Sequence, residues 1–228
     1  MKQQLPCELC ASFPELNEKI VGCRLCPRLV HFREEVPPKA EFRDEAYWRR
    51  PIPGFGDANA WLLISGLAPA AHGGNRTGRV FTGDKSGDFL MKALYLAGFA
   101  NQPTSISRGD GLTLTGCYVT AVVKCAPPHD KPSREEIVTC SQYYHNELAL
   151  LRNVRCVLAL GRIAFDSFLL VNKIRPKPPF VFGEKYACAG LPTLWASYHP
   201  SPRNTNTGRL TLEQFLELLQ RIKKEYGP

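Results

Sequence analysis

Residues 60–66 read AWLLISG, an apolar run without polar alternation that closes on a glycine. A run of this kind has no face to give to water. It suits a strand buried on both sides, as in a parallel sheet covered by helices. Three further runs share the pattern: Cys117–Val123 (CYVTAVV), Val154–Gly161 (VRCVLALG) and Thr193–Tyr198 (TLWASY). Helical spacing fills the intervals. Asp84–Ala97 puts Phe89, Leu90, Ala93, Leu94 and Ala97 on one stripe, and Arg162–Leu170 follows the third run. Ser133–Arg152 opens with Ser133 and Glu136 in capping-box spacing. Thr211 and Gln214 repeat that spacing ahead of an apolar face formed by Leu212, Phe215, Leu216, Leu219 and Ile222. Alternating strand and helix predicts an α/β fold, a three-layer α/β/α sandwich.

Residues 1–58 have a different character. They hold two CxxC pairs, a helical pattern around Phe13–His31, a charged stretch over Arg33–Arg50 and the Pro/Gly-rich PIPGFGD. The expectation is one domain over 1–228, with 1–58 as an extension folded onto a 59–228 core. A chain of 228 residues with 44% apolar and 10% aromatic side chains can bury a core, which excludes global disorder. No apolar stretch approaches the roughly 18 residues of a membrane span. The N-terminus MKQQLPCELC lacks the apolar segment of a signal peptide, so an intracellular setting is expected. The net charge of +8, from 29 Lys and Arg against 21 Asp and Glu, favours an anionic partner, with nucleic acid first.

Nine cysteines in such a chain point toward metal more than disulfides. Two arrangements compete. Cys7, Cys10, Cys23 and Cys26 have zinc-ribbon spacing. Alternatively, Cys23 and Cys26 join Cys125 and Cys140 around an iron–sulfur cluster, a reading favoured by the Cys26-Pro27 step and by the Pro-rich loop between Cys125 and Cys140. Cys125 and Cys140 could also be ordinary half-buried thiols. Cys117 and Cys156 lie inside apolar strands and read as core.

In an open parallel sheet, ligands bind beyond the carboxyl ends of the strands. Those ends here are residues 65–87, 124–133, 160–162 and 198–204. They gather Arg76, Arg79, Lys85, Lys124, Lys131, Arg162 and Arg203 on one rim, an arrangement suited to phosphate. The first loop is glycine-rich but has neither a P-loop ending nor GxGxxG, so nucleotide-cofactor binding is unsupported. His199 ends the fourth run in a Pro/Ser/Arg/Asn loop. Asp84 reads equally as a helix N-cap, and Asp130 as a turn residue.

Taken together, Gly66-Leu67-Ala68-Pro69-Ala70, GRVFTGD (78–84), VVKCAPP (122–128) and His199-Pro200-Ser201-Pro202-Arg203-Asn204 resemble the uracil-DNA glycosylase superfamily, and within it family 5, the type B enzymes of thermophilic prokaryotes. The resemblance runs from about Cys23 to the last helix. It implies a central four-stranded parallel sheet and a [4Fe–4S] cluster on Cys23, Cys26, Cys125 and Cys140, leaving Cys7 and Cys10 without a role. It also implies a monofunctional enzyme that hydrolyses the N-glycosidic bond of a base flipped from double-stranded DNA. Phe81 would stack on that base in a pocket with Gly66, Ala68 and Ala121. His199 would hydrogen-bond the uracil O2, and Asp84, with Asp130 second, would handle the water. Arg76, Arg79, Lys85 and the segment Ser201, Pro202, Arg203 and Asn204 would hold DNA. A cytoplasmic monomer from a thermophilic prokaryote is the implied setting.

Two departures matter. Ala68 stands where most relatives carry a carboxylate or amide, a lack shared by family 5. Ala121 replaces the asparagine of family 4. Without that polar reader, the expectation is broad specificity, covering uracil, 5-hydroxymethyluracil and other deaminated bases such as hypoxanthine. The rival readings are a non-catalytic nucleic-acid-binding protein on the same fold and a zinc-ribbon scaffold.

Overall fold

The computed structural model describes residues 9–228. Four parallel strands form its centre: β2 (Leu62–Gly66), β3 (Cys117–Ala121), β4 (Cys156–Leu160) and β6 (Thr193–Ser197). Two-residue antiparallel strands, β1 (Phe55–Gly56) and β5 (Lys185–Tyr186), extend the edges, giving the order β1-β3-β2-β4-β6-β5. The four central strands fall inside the four apolar runs, and β2, β3 and β4 are buried throughout. The short edge strands had no legible period, because two residues cannot show one.

Side-chain alternation along these strands divides the core in two. Leu63, Tyr118, Val157, Ala159, Leu194 and Ala196 face a layer holding Leu16, Ile20, Leu29, Tyr144, Phe165 and Phe168. Leu62, Ile64, Val119, Leu158 and Trp195 face Leu90, Leu94, Phe215, Leu218 and Leu219. The first layer comprises α1 (Phe13–Val21), α2 (Pro27–Glu35), α5 (Arg134–Leu150) and α6 (Arg162–Val171). The second comprises α4 (Lys85–Leu96) and α8 (Leu212–Tyr226), while the short α3 (Gly74–Thr77) and α7 (Pro202–Asn206) lie in loops. Each large apolar side chain so buried contributes about 1.5–3 kcal/mol. Cys117 and Cys156 are fully buried in the α4–α8 layer. Both capping boxes form, on Ser133/Glu136 and Thr211/Gln214. No helix among the described residues is long and apolar enough to cross a membrane.

The helical pattern around Phe13–His31 divides into two helices. Gly22 caps α1, Cys23–Cys26 turns the chain, and Pro27, which lacks an N–H, starts α2.

A buried ion pair ties this extension to the sheet. Lys124 Nζ donates to Glu147 Oε2 (2.7 Å), Thr120 Oγ1 (2.6 Å) and the Ala121 carbonyl (2.9 Å). Glu147 also accepts from Thr120 Oγ1 (2.8 Å) and from the Gly54 backbone N–H (3.1 Å). Both side chains are almost completely removed from solvent. Breaking one half of such a pair strands a charge in the interior. Lys124→Met is expected to cost about 3–5 kcal/mol in urea unfolding, and Lys124→Met/Glu147→Gln is expected to recover part of that. A single substitution without measurable loss would contradict the network.

Candidate functional site

The carboxyl ends of β2 and β3 lie side by side, with Gly66 paired to Ala121. The register continues one step further through Val122 N–H to the Gly66 carbonyl (3.0 Å) and Val123 N–H to the Leu67 carbonyl (2.9 Å). Over this floor lies the Phe81 ring. A Cβ on Gly66 would meet Phe81 Cε2 and Cζ at 2.9 Å, so glycine is what lets the ring come so close. Phe81 itself has φ 50°, a left-handed conformation that bulky residues rarely adopt, and such strain collects at functional sites.

His199 completes the group. Its ring centroid lies 6.0 Å from that of Phe81. Gly161, at φ 95° between β4 and α6, makes room for it, since a Cβ there would meet His199 Cβ at 3.1 Å. Asn204 Nδ2 donates to the His199 carbonyl (2.8 Å) and pins the loop from below. Burial pushes the imidazole down to a pKa of about 4, and the Asp130 charge opposes this only in part. At neutral pH the ring is therefore neutral, with one N–H to donate. Among the described residues its ring nitrogens take no hydrogen bond from the protein.

Asp84 caps α4: its Oδ1 accepts from Gly87 N–H at 2.9 Å. Its other oxygen is pressed toward Gly73, where a Cβ would come within 1.9 Å of Oδ2. Burial raises the Asp84 pKa above the ordinary carboxylate value, against the pull of the Gly87 and Ser86 N–H groups. Asp130 is exposed and, like His129 before it, has a positive φ. Its charge reaches both His199 and His72. Ala68 is half-buried on the β2 loop and offers no polar side chain.

The basic rim is smaller than the sequence suggested. Arg79 is buried; its guanidinium bonds Thr82 Oγ1 (3.0 Å), Ser105 Oγ (2.9 Å) and Asp110 (2.7 Å). Arg76 is likewise turned inward, onto Glu45 (2.5 Å) and the carbonyls of His72 and Gly83 (both 2.8 Å). Lys124 belongs to the buried pair described above. All three brace loops, and their partners lie far off in sequence or in backbone that composition does not reveal. Lys85, Lys131, Arg162 and Arg203 remain exposed. Ser201 is half-buried, Pro202 is exposed, and the segment that read as a loop begins α7.

A second group lies behind the β3 end. Cys23, Cys26, Cys125 and Cys140 line one pocket with Leu25, Leu29, Arg33, Pro51 and Thr139. Arg33, itself 2% exposed, donates to Cys125 Sγ (3.1 Å), and Lys124 N–H donates to Cys140 Sγ (3.3 Å). Burial pushes the Cys26 thiol up to about 11, with the Cys125 and Cys23 charges acting the same way. Among the described residues no three His, Cys, Asp or Glu side chains converge as a site for one ion. The set is all sulfur, ringed around a pocket and supplied with N–H donors, a lining that suits a thiolate-held metal or cluster. Cys7 lies outside the described residues, and Cys10 does not line this pocket.

Loops at the carboxyl ends of the strands thus bring an aromatic ring over a glycine beside a neutral histidine, and the uracil DNA glycosylase superfamily model matches residues 53–223. The chain belongs to that superfamily. It is 51% identical over 212 residues to a type-5 uracil-DNA glycosylase of Thermus thermophilus, covering 92% of this chain and 96% of that protein. To a type-5 uracil-DNA glycosylase of Pyrobaculum aerophilum it is 46% identical over 215 residues, 94% of each chain. A type-4 uracil-DNA glycosylase of the same organism is 30% identical over 192 residues, 82% of each.

The depressed His199 pKa has a measurable sign. The unfolded chain takes up the proton near the ordinary histidine value, whereas the folded chain resists until about pH 4. This contribution to stability is thus full above the ordinary value and is lost as pH falls through the interval. NMR titration of the His199 ring is expected to show a midpoint near 4. A midpoint at or above the ordinary histidine value would contradict the burial.

Proposed function

We propose that the protein is a DNA repair glycosylase that removes uracil and related deaminated bases from double-stranded DNA, leaving an abasic site. The observation that carries the reading is the convergence of Phe81 and His199 over the Gly66–Ala121 floor. The type-5 relatives support it. A base inside a duplex is out of reach, so the nucleotide swings out, at a cost of a few kcal/mol. Phe81 then stacks on the base, with Gly66, Ala68 and Ala121 lining the pocket.

As the N-glycosidic bond breaks, the electron pair passes to the base. Neutral His199 donates its N–H to the developing charge on uracil O2. Water adds at the sugar C1′, and Asp84 orients it and accepts its proton. Its raised pKa makes it the more capable base. Asp130, exposed at the mouth, tunes His199 through its charge and is the second candidate for handling water. Ala121 offers no side-chain reader, and its carbonyl already accepts from Lys124, which favours broad base choice. Lys85, Ser201, Pro202, Arg203 and Asn204 form the DNA-binding edge, with Arg76 and Arg79 acting behind it as braces.

Cys23, Cys26, Cys125 and Cys140 would hold a [4Fe–4S] cluster, which when bound supplies a structural cross-link between the α2 start and the β3–α5 segment. The purified protein is expected to be brown, with about four iron and four sulfide per chain. A colourless protein containing only zinc would overturn this assignment.

Alkali-revealed strand cleavage of a uracil-containing duplex tests the function. The unmodified protein is expected to cleave, His199→Ala to be slower by about 10²–10³-fold, and Asp84→Asn by about 10²-fold or more. Full activity in Asp84→Asn would remove Asp84 as the base. Binding without cleavage by the unmodified protein would establish the non-catalytic reading instead. Duplexes with 5-hydroxymethyluracil or hypoxanthine should also be cut, and strict restriction to uracil would contradict the apolar floor.

A further inference from the structure

Between α4 and β3 the chain leaves the strand-start end of the sheet, climbs to the site and returns. Ala100 and Leu114 pair antiparallel, with Thr115 N–H on the Phe99 carbonyl (2.9 Å), so the excursion has the form of a hairpin. Its tip, residues 105–110, is fastened beneath the Phe81–Asp84 segment. Gly83 N–H donates to the Ser105 carbonyl (2.8 Å), and Thr82 Oγ1 and Ser105 Oγ share a hydrogen bond (2.7 Å). From inside, Arg79 grips both Ser105 Oγ and Asp110. Asp110 in turn accepts from the N–H groups of Ile106 (2.7 Å), Ser107 (3.2 Å) and Leu112 (3.0 Å).

What this bracing holds outward is an apolar and a cationic side chain. Ile106 is 66% exposed. Arg108 is also exposed, its guanidinium 4.4 Å from the Trp48 ring centre, and Arg50 lies 5.8 Å from the same ring. The Arg108 chain passes over Gly78, where a Cβ would come within 2.8 Å of its Cδ. Among the described residues neither Arg50 nor Arg108 has a carboxylate or hydrogen-bond acceptor in the protein. Stacking orients a guanidinium while leaving its N–H edge free for phosphate.

We propose that the 105–110 turn is a second contact with duplex DNA: Ile106 enters the groove beside the displaced nucleotide, and Arg108, with Arg50 beside it, meets the flanking phosphates. An apolar probe flanked by arginines on a stiff turn is how groove-entering proteins combine wedging with backbone attraction. The inference rests on the reading of the protein as an enzyme acting on bases in duplex DNA. It gives buried Arg79 an indirect part, as the brace of the turn.

The test is fluorescence anisotropy with a duplex carrying a non-cleavable uracil nucleotide, across a salt series, for the unmodified protein, Ile106→Asp and Arg108→Gln. Arg108→Gln is expected to lower the slope of log affinity against log salt by about 1. Ile106→Asp is expected to weaken duplex binding about ten-fold and to lower the preference for duplex over single strand. Both sites are exposed, so melting temperatures should stay near the parent value; Ile106→Ala provides a milder check. Parental affinity and salt slope in the variants would overturn the proposal and leave the turn to a protein partner. Absence of uracil excision by the unmodified protein would instead refute the functional reading.

Discussion

The register that sets Gly66 against Ala121 governs the site. Because β2 and β3 end at the same level, two loops leave the sheet together, one carrying Phe81 and Asp84 and the other Lys124 and Cys125. A one-residue slip would turn every side chain of β3 to the opposite layer. Thr120 would lose Glu147, and Ala121 would leave its place beside Gly66. Small residues then do the local work: Gly66 admits the Phe81 ring and Gly161 admits His199. The pocket is shaped as much by absent Cβ atoms as by the side chains that line it.

The same register links the two chemistries of the molecule. Lys124 donates through its side chain to the Ala121 carbonyl, at the pocket floor, and through its backbone to Cys140 Sγ, at the thiol pocket. Ile52 N–H bonds the Lys124 carbonyl (2.7 Å), and Gly54 N–H bonds Glu147, so the N-terminal extension is held at the same point. A cross-link through the four thiols would therefore brace the extension against the strand that carries the pocket floor.

Strands, main helices and caps were legible in the sequence because their causes are local: continuous apolar runs, helical spacing and Ser/Thr–Glu/Gln steps. The edge strands were too short to show a period, and the break at Gly22–Pro27 was masked by apolar residues on both sides. Phe81, Asp84, His199 and the four cysteines stood out by motif, and the fold sets Phe81 beside His199 and gathers the four thiols around one pocket. The electrostatics did not stand out. Arg79 and Lys124 read as surface cations because Asp110 and Glu147, which neutralise them, lie 31 and 23 residues away. The Asn204 amide also supports the His199 carbonyl, a bond that no spacing rule announces. Composition gives the number of charges; only the fold tells which of them reach solvent.

The most direct measurement of the central claim is a crystal structure with duplex DNA bearing a non-cleavable 2′-fluoroarabino-uracil. The base is expected outside the helix, stacked on Phe81 over Gly66 and Ala121, with its O2 within hydrogen-bond reach of a His199 ring nitrogen. A base that stays stacked in the duplex, or that lies in another pocket away from His199, would contradict it.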